Sequence, residues 1–320
     1  MSYLDLDGLR YYKDKRDMLF GSVLGVPRRI YNGNSCVDAF VEAMNNKASL
    51  LGMEDSGFVN PTGLSTNNST SVLDMLKLGM ASVGYSRLIR AMSTKGETVY
   101  INGTAREITH GSMVAADSII TNANVLAIKG GNLASTYRTQ IDIVDIDDRA
   151  CVLCVLGVDV SDYDNIYSYC NDLAGVVKER IETGEYTVPQ SLVGLVSRHG
   201  AYAAIELPAN TMAYENHYPT AKLKARQDVI YGGEQNICIP CSITKVLSAM
   251  VLIDTMPDFN VDITIQQTDI VGGSGIGLEV GDKLTAHDAF LLSFLPSDNN
   301  AMTALARTCG NILLNRRYEE

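Results

Sequence analysis

A serine and a lysine three positions apart, Ser242 and Lys245, lie in the stretch IPCSITKVLSAMVLID, residues 239–254. The stretch follows a proline and leads into an apolar run, which is typical of a helix start. Positions i and i+3 of a helix share a face, so the lysine amine can reach the serine hydroxyl and accept its proton. The pair alone does not separate an activated nucleophile from an ordinary first turn, because about one such match is expected by chance in a chain of this length.

Two further motifs accompany this pair. Ser297, Asp298 and Asn299 form an S-D-N triplet behind Pro296, and residues 129–131 (KGG) end a predicted strand as an incomplete K-T-G triplet. S-x-x-K, S-D-N and K-T-G together are the signature of penicillin-recognising serine enzymes. The three motifs therefore indicate acyl transfer through a serine nucleophile.

The sequence around these motifs resembles the D-alanyl-D-alanine carboxypeptidases, which are low-molecular-mass penicillin-binding proteins of the serine-peptidase type. The resemblance is carried by the stretches AYAAIEL, IPCSITKVLSAMVLID, GIGLEVGDKLTAHDAFLLSFLPSDNNAMTALA, FVEAMNNKASLLGMEDSGFVNPTGLSTNNSTSVLDM and VLAIKGG. It extends over about residues 36–182 and 199–311. It implies hydrolysis of the terminal D-Ala from D-Ala-D-Ala stem peptides of peptidoglycan, no cofactor, and covalent inhibition by β-lactam antibiotics.

The same resemblance implies three catalytic roles. Ser242 would be the acylated nucleophile, Lys245 its general base, and Ser297 the group that relays the proton to the leaving D-alanine. Water would then release the acyl group and complete a carboxypeptidase cycle.

The substrate-binding roles fall on Asn299 and on the strand end at residues 129–132. Asn299 would hold the substrate amide, and Lys129 would bind the terminal carboxylate. The oxyanion hole would use the backbone N–H groups of Ser242 and Asn132, next to Gly131. Gly130 departs from the family pattern, which has a hydroxyl there that helps to bind the carboxylate, so we expect a slow enzyme that Gly130→Thr accelerates.

The motif order also departs from the family, in which the nucleophile helix comes first and the K-T-G strand last. Here Lys129 precedes Ser242, which suggests a circular permutation. The resemblance implies an α+β fold of the penicillin-binding-protein and β-lactamase type, with an antiparallel sheet flanked by helices and an all-helical lobe. The expected divisions are an N-terminal extension (1–31), the C-terminal half of the domain (32–182), a linker between the old termini (183–200), its N-terminal half (201–311) and a tail (312–320).

Composition limits the partners and the location. The net charge of −11 and the pI near 4.9 argue against nucleic acid or an anionic membrane as the main partner. No apolar run approaches the roughly 20 residues that a transmembrane helix needs. The first twenty residues resemble no secretory signal peptide, although the family implies the cell envelope.

The spacing of local patterns predicts the main elements. Helical stripes appear at 36–52 and 69–83, further helices at 164–182, after Ser242 and at 285–295, and strands at 98–102, 124–131, 135–146 and 150–160 within one sheet. A hairpin is predicted over 201–207 and 211–216. The glycines at 272–277 are expected to shape a loop beside the cleft.

The two C-x-x-C pairs, at 151–154 and 238–241, have a spacing that zinc sites also use. We predict buried thiols instead, because strand residues three apart point to opposite faces. The four histidines, at 110, 199, 217 and 287, have no metal-like spacing.

Two other functions remain open. A virion or murein-binding module could keep the fold without turnover, and residues 1–31 loosely resemble short N-terminal segments of tail or baseplate proteins of bacterial viruses. A β-lactamase is disfavoured, since no convincing glutamate for deacylation follows the FVNPTGL stretch.

Overall fold

The computed structural model describes residues 32–134, 136–159, 165–208 and 229–319. Its helices, in chain order, are α1 (Gly33–Leu50), α2 (Val72–Ser82), α3 (Ser86–Ser93), α4 (Gly111–Ile119), α5 (Asn165–Thr183), α6 (Gln190–Ser197), α7 (Thr244–Thr255), α8 (Ala286–Phe294) and α9 (Asn299–Glu319). Its strands are β1 (Gly96–Ile101), β2 (Thr104–Thr109), β3 (Asn124–Leu133), β4 (Tyr137–Ile146), β5 (Arg149–Asp159), β6 (Ala201–Glu206), β7 (Val229–Gly232), β8 (Asp262–Thr264) and β9 (Lys283–Thr285).

Polar side chains begin several of these helices. The Asn32 side chain accepts a hydrogen bond from the Asn34 N–H, and Ser71 and Thr285 do the same for the third residue of α2 and α8. Such caps satisfy N–H groups that have no partner inside the helix. The predicted helices at 36–52, 69–83, 164–182 and 285–295 are confirmed, with ends shifted by a few residues.

The central sheet has five antiparallel strands in the order β3-β4-β5-β6-β7. Its middle strand β5 is buried at eight consecutive positions, because helices cover both faces of the sheet. Cys154 packs into the core on one face and Cys151 into the core on the other. All seven cysteines are buried free thiols, which confirms the prediction for the four in the C-x-x-C pairs.

The prediction for residues 98–102 was wrong in one respect. They form part of β1, whose partner among the described strands is β2, in a separate two-stranded sheet. Asn102 and Gly103 both have positive φ, 53° and 78°, as a two-residue hairpin turn requires. That Asn-Gly pair was the sequence signal for the hairpin.

The structure adds further elements that the pattern did not predict. Helices α3, α4 and α6 are short, and α6 lies inside the segment 183–200 predicted as a linker. Residues 201–207 contain β6 as expected, whereas 211–216 and the N-terminal extension 1–31 lie outside the described residues. The described partners of β6 are β5 and β7.

Two hydrophobic cores hold the layers together. One lies between the sheet and a helical lobe that includes α1, α2, α7, α8 and α9, and the other between the opposite face and α4, α5 and α6. The fold is α+β, with antiparallel sheets flanked by helices, and agrees with the expected penicillin-binding-protein type. No helix in the described ranges is long and apolar enough to cross a membrane.

Helices α1 and α9 pack closely where the described chain begins and ends. A Cβ added to Gly310 would lie 1.8 Å from the carbonyl oxygen of Cys36, so only glycine allows this approach. Arg317 also forms an ion pair with Glu42 at 2.9 Å.

Candidate active site

The predicted nucleophile lies on a tight turn between a loop and a helix. A 3-10 turn, Cys241–Ile243, leads directly into α7, and Cys241 has a left-handed φ of 50°. Such a backbone is strained for a residue with a side chain and is found at functional sites. The turn leaves Ser242 partly exposed and directs Lys245 inward.

Lys245 is completely buried, at 0% exposure, so it is not a solvated first-turn residue. Its Nζ lies 3.0 Å from Ser242 Oγ, 3.0 Å from the Ser297 carbonyl oxygen and 2.7 Å from Asn299 Oδ1. A neutral amine has two N–H donors and one lone pair. The two carbonyl oxygens can take both donors, which leaves the lone pair for the Ser242 hydroxyl.

The electrostatics favour that neutral form. Burial and then the positive charge of Lys129 lower the pKa of Lys245 well below its usual value. Burial lowers the pKa of Lys129 to about 7. Both Nζ atoms lie within hydrogen-bond distance of Ser297 Oγ, so two ammonium groups would repel each other. Lys245 is therefore suited to the neutral state while Lys129 keeps its proton.

Ser297 connects the two lysines. Its hydroxyl accepts a hydrogen bond from Lys129 Nζ at 2.9 Å and lies 3.2 Å from Lys245 Nζ. Ser297 has a left-handed φ of 59°, a second strained position in the site. A continuous chain of polar atoms therefore runs from Ser242 through Lys245 and Ser297 to Lys129.

The other residues of the S-D-N triplet position this chain. The Asp298 carboxylate accepts hydrogen bonds from the N–H groups of Ala301 and Ile276, both at 2.9 Å, which ties the start of α9 to the glycine-rich loop. Asn299 Nδ2 donates to the carbonyl of Gly272 at 2.9 Å, so its Oδ1 faces Lys245. The loop 272–277 packs against the triplet.

Glycines allow two segments to approach the nucleophile. A Cβ on Gly131 would lie 2.9 Å from the backbone nitrogen of Ser242, and a Cβ on Gly63 would lie 1.7 Å from the Cys241 carbonyl oxygen. The end of β3 and the turn at 60–63 thus pack against the Cys241–Ser242 backbone from two sides. Asn132 is the next residue of β3.

Hydrogen bonds link five of the eight residues predicted from the sequence, Ser242, Lys245, Ser297, Asn299 and Lys129. Lys129 Nζ also donates to the Gly130 carbonyl, and Gly131 packs against the Ser242 nitrogen. Asn132, the eighth, follows Gly131 in β3. Sequence reasoning missed Gly63 and Cys241. Gly63 lies in the FVNPTGL stretch, whose pattern indicates a turn but no contact with the nucleophile, and nothing in the local pattern indicates a left-handed Cys241.

Comparisons with known proteins bear on one half of this arrangement. Residues 30–158 match the family model for D-alanyl-D-alanine carboxypeptidases. The resemblance to this carboxypeptidase family is confirmed. The match contains residues 129–132 of the site, whereas Ser242, Lys245 and the S-D-N triplet lie outside it.

Two curated relatives of this chain are D-alanyl-D-alanine endopeptidases. The protein from Pseudomonas aeruginosa is 37% identical over 92 residues, which cover 27% of this chain and 29% of that protein. The protein from Escherichia coli is 49% identical over 59 residues, 18% of this chain and 19% of that protein. The chain thus spans less than a third of the length of each relative.

Proposed function

We propose that the protein is a serine DD-peptidase that cleaves the D-Ala-D-Ala terminus of peptidoglycan stem peptides through an acyl-enzyme on Ser242. The supporting observation is the 3.0 Å contact of the partly exposed Ser242 Oγ with Nζ of the fully buried Lys245. A buried amine with a lowered pKa is a general base at neutral pH, whereas a solvated lysine is not.

The first step is attack of Ser242 Oγ on the carbonyl carbon of the scissile bond while Lys245 takes the hydroxyl proton. The backbone N–H groups of Ser242 and Asn132 would stabilise the oxyanion. The N-terminal end of α7 adds a favourable dipole for this developing charge.

Departure of the leaving group needs a proton on its nitrogen. Ser297 Oγ, between Lys245 and Lys129, is placed to pass a proton from Lys245 to that nitrogen. The released D-alanine carries the carboxylate that Lys129 binds as a cation. Water, activated by the same lysine, then hydrolyses the ester on Ser242. Asn299 would hold the substrate amide once its bond to Gly272 is exchanged for one to substrate.

Labelled penicillin tests this proposal, because a β-lactam acylates the same nucleophile and the adduct persists. We expect one adduct by intact mass, mapped to Ser242 and absent from Ser242→Ala. Ser93→Ala is the matched control, since that partly exposed hydroxyl at the end of α3 donates to the Arg90 carbonyl of the same helix. An unmodified wild type, under conditions in which a known carboxypeptidase reacts, would instead support a non-catalytic murein-binding or virion module.

Endopeptidase activity is the second candidate, because both relatives described above are named D-alanyl-D-alanine endopeptidases. An endopeptidase must accept a leaving group that continues beyond the D-Ala amine. Comparing a monomeric pentapeptide with a cross-linked dimer of the same peptide separates the two activities. Release of free D-alanine from the monomer supports the carboxypeptidase, and cleavage of the dimer alone supports the endopeptidase.

We further propose that the fold is a circular permutation of the family arrangement, with halves at 32–182 and 201–311 and the old termini joined through 183–200. The close packing of Gly310 on Cys36 supports it, because the helices flanking the proposed new ends are in contact. Pairing of β5 with β6 supports it as well, since each half supplies one of these strands. A variant opened within 184–189 and joined from 311 to 32 should fold and bind penicillin. If it does not fold, the permutation is refuted.

A further inference from the structure

Gly130 lies next to Ser112, a residue that the sequence did not connect with the site. A Cβ added to Gly130 would lie 2.9 Å from Ser112 Oγ. The φ of Gly130 is outside the left-handed region, so its backbone would accept a side chain. The space that a threonine hydroxyl would use at position 130 is therefore next to the hydroxyl of Ser112.

The position of Ser112 is fixed by its surroundings. Ser112 lies in the first turn of α4, and the residue before that helix, His110, accepts a hydrogen bond from the Met113 N–H at 3.2 Å. The His110 N–H in turn donates to the Lys95 carbonyl at 2.9 Å. Met113 and Ala116 anchor α4 in the core against Ile128 of β3. The helix start and the strand end are thus held in register.

The Ser112 hydroxyl is available to a ligand. Ser112 is partly exposed, and its hydroxyl has no hydrogen-bond partner among the residues that the structure describes. His110 does not add a second positive charge beside Ser112. Burial and the charge of Lys129 lower its pKa to about 4, so the imidazole is neutral.

Lys129 and Ser112 lie on opposite faces of β3. β3 is an edge strand of the five-stranded sheet. Alternation along the strand directs Lys129 towards Ser297 and the vacant side of Gly130 towards α4. A carboxylate lying along this edge would be approached from the cleft face by the ammonium of Lys129 and from the opposite face by the hydroxyl of Ser112.

We propose that Ser112, on a different element from the K-T-G-like triplet, supplies the hydroxyl that binds the substrate's terminal carboxylate together with Lys129. This inference rests on the proposed DD-peptidase function and names a specificity residue for it. Ser112 Oγ donates to one carboxylate oxygen, Lys129 neutralises the charge, and Gly130 keeps the space between them open.

The test measures kcat/KM of wild type and Ser112→Ala on two peptides that differ only at the C-terminus, one ending in free D-Ala-D-Ala and one in its amide. A hydrogen bond to a charged group corresponds to about ten- to 150-fold. We expect a fall of that size for the free acid and none for the amide. Because both substrates are measured on one preparation, their ratio does not depend on the folded fraction.

A rescue variant separates binding from a structural role. Gly130→Thr in the Ser112→Ala background should recover most of the lost activity on the free acid, because the hydroxyl returns from the strand. Ser118→Ala is the matched control on α4, since that hydroxyl bonds within the helix at the surface. It should leave both substrates unaffected.

Two results would overturn the inference: Ser112→Ala slowing both peptides equally, or slowing neither while wild type turns over the free acid and is acylated by penicillin. The proposed function would survive either one. A wild type that is neither acylated nor active overturns both proposals together.

Discussion

Both faces of the central sheet bury ionisable side chains, but the hydrogen-bond partners of these side chains differ between the faces. On the cleft face, Lys245 and Lys129 are wrapped by oxygen atoms from the nucleophile turn, the S-D-N triplet and β3. On the other face, Asp142 of β4 is fully buried, with one bond from Gln140 to Oδ2 and no partner for Oδ1 among the described residues.

Burial changes the pKa of ionisable groups on both faces, but their surroundings differ. Burial lowers the pKa of Lys129 to about 7 and raises that of Asp142 to about 7, so both groups are driven towards neutrality. The lysines lie around the hydroxyls of Ser242 and Ser297, the proposed nucleophile and proton relay. Asp142 interacts with the side chains of Gln140 and Cys170, and none of its hydrogen bonds among the described residues reaches a group of the site. We therefore expect perturbation of the cleft face to alter catalysis and perturbation of Asp142 to alter stability.

The largest effect is expected from Gly131→Ala on the cleft face. The added methyl would lie 2.6 Å from Thr139 Oγ1 and 2.9 Å from the Ser242 nitrogen, so the strand end must move away from the nucleophile. Loss of an oxyanion-hole donor lowers kcat by about 100- to 1,000-fold. Steady-state kinetics on the D-Ala-D-Ala peptide should show that loss mainly in kcat.

Gly57→Ala is the control, because its new Cβ would make only an ordinary 3.6 Å contact with Ser69. It should retain wild-type kcat and penicillin acylation. Full activity of Gly131→Ala would mean that the close approach of β3 to Ser242 is not needed for catalysis.

How far the sequence could predict this site depends on the type of contact. Ser242 with Lys245 and the S-D-N triplet are local motifs whose spacing persists in the fold. The pairing of Gly130 with Ser112 is not local, and no periodicity relates a strand residue to a helix start eighteen positions earlier. The same holds for β1. The local pattern predicted a strand there, but its place in a separate sheet depends on its pairing with β2, which the pattern does not give.

The second prediction concerns pH and distinguishes the two lysines. Lys245 must be neutral to act as base, so kcat/KM rises as pH increases through its lowered pKa. Lys129 must be charged to bind a carboxylate, so kcat/KM on the free-acid peptide falls about tenfold per pH unit above about 7. The amidated peptide should show the rising limb without the fall.

The bound carboxylate sharpens this test. A negative ligand stabilises the Lys129 ammonium, so the falling limb of kcat, which reports the complex, should move to higher pH than that of kcat/KM. Identical profiles for acid and amide would show that Lys129 does not bind the carboxylate.

The smallest effect on turnover is expected from Asp142→Asn, which should change stability instead. An acid whose pKa is raised by folding stabilises the native state only while protonated, so its contribution to the free energy of unfolding decreases as pH rises from about 4 to about 7. Asparagine has no such titration. The variant should therefore gain stability relative to wild type across this window, by at most about 1.4 kcal/mol per pH unit.

Urea unfolding of both proteins at pH 5 and pH 8 measures this difference, with kcat/KM measured in parallel. Asp145→Asn is the control on the same strand, because that carboxylate is only partly buried and accepts a bond from the Asp148 N–H. A stability difference that is the same at both pH values would show that Asp142 is not held protonated by burial. A loss of kcat/KM without a change in stability would mean that the two faces are coupled, because Asp142 lies on the side of β4 away from Lys129 and can reach the cleft only through the strand itself.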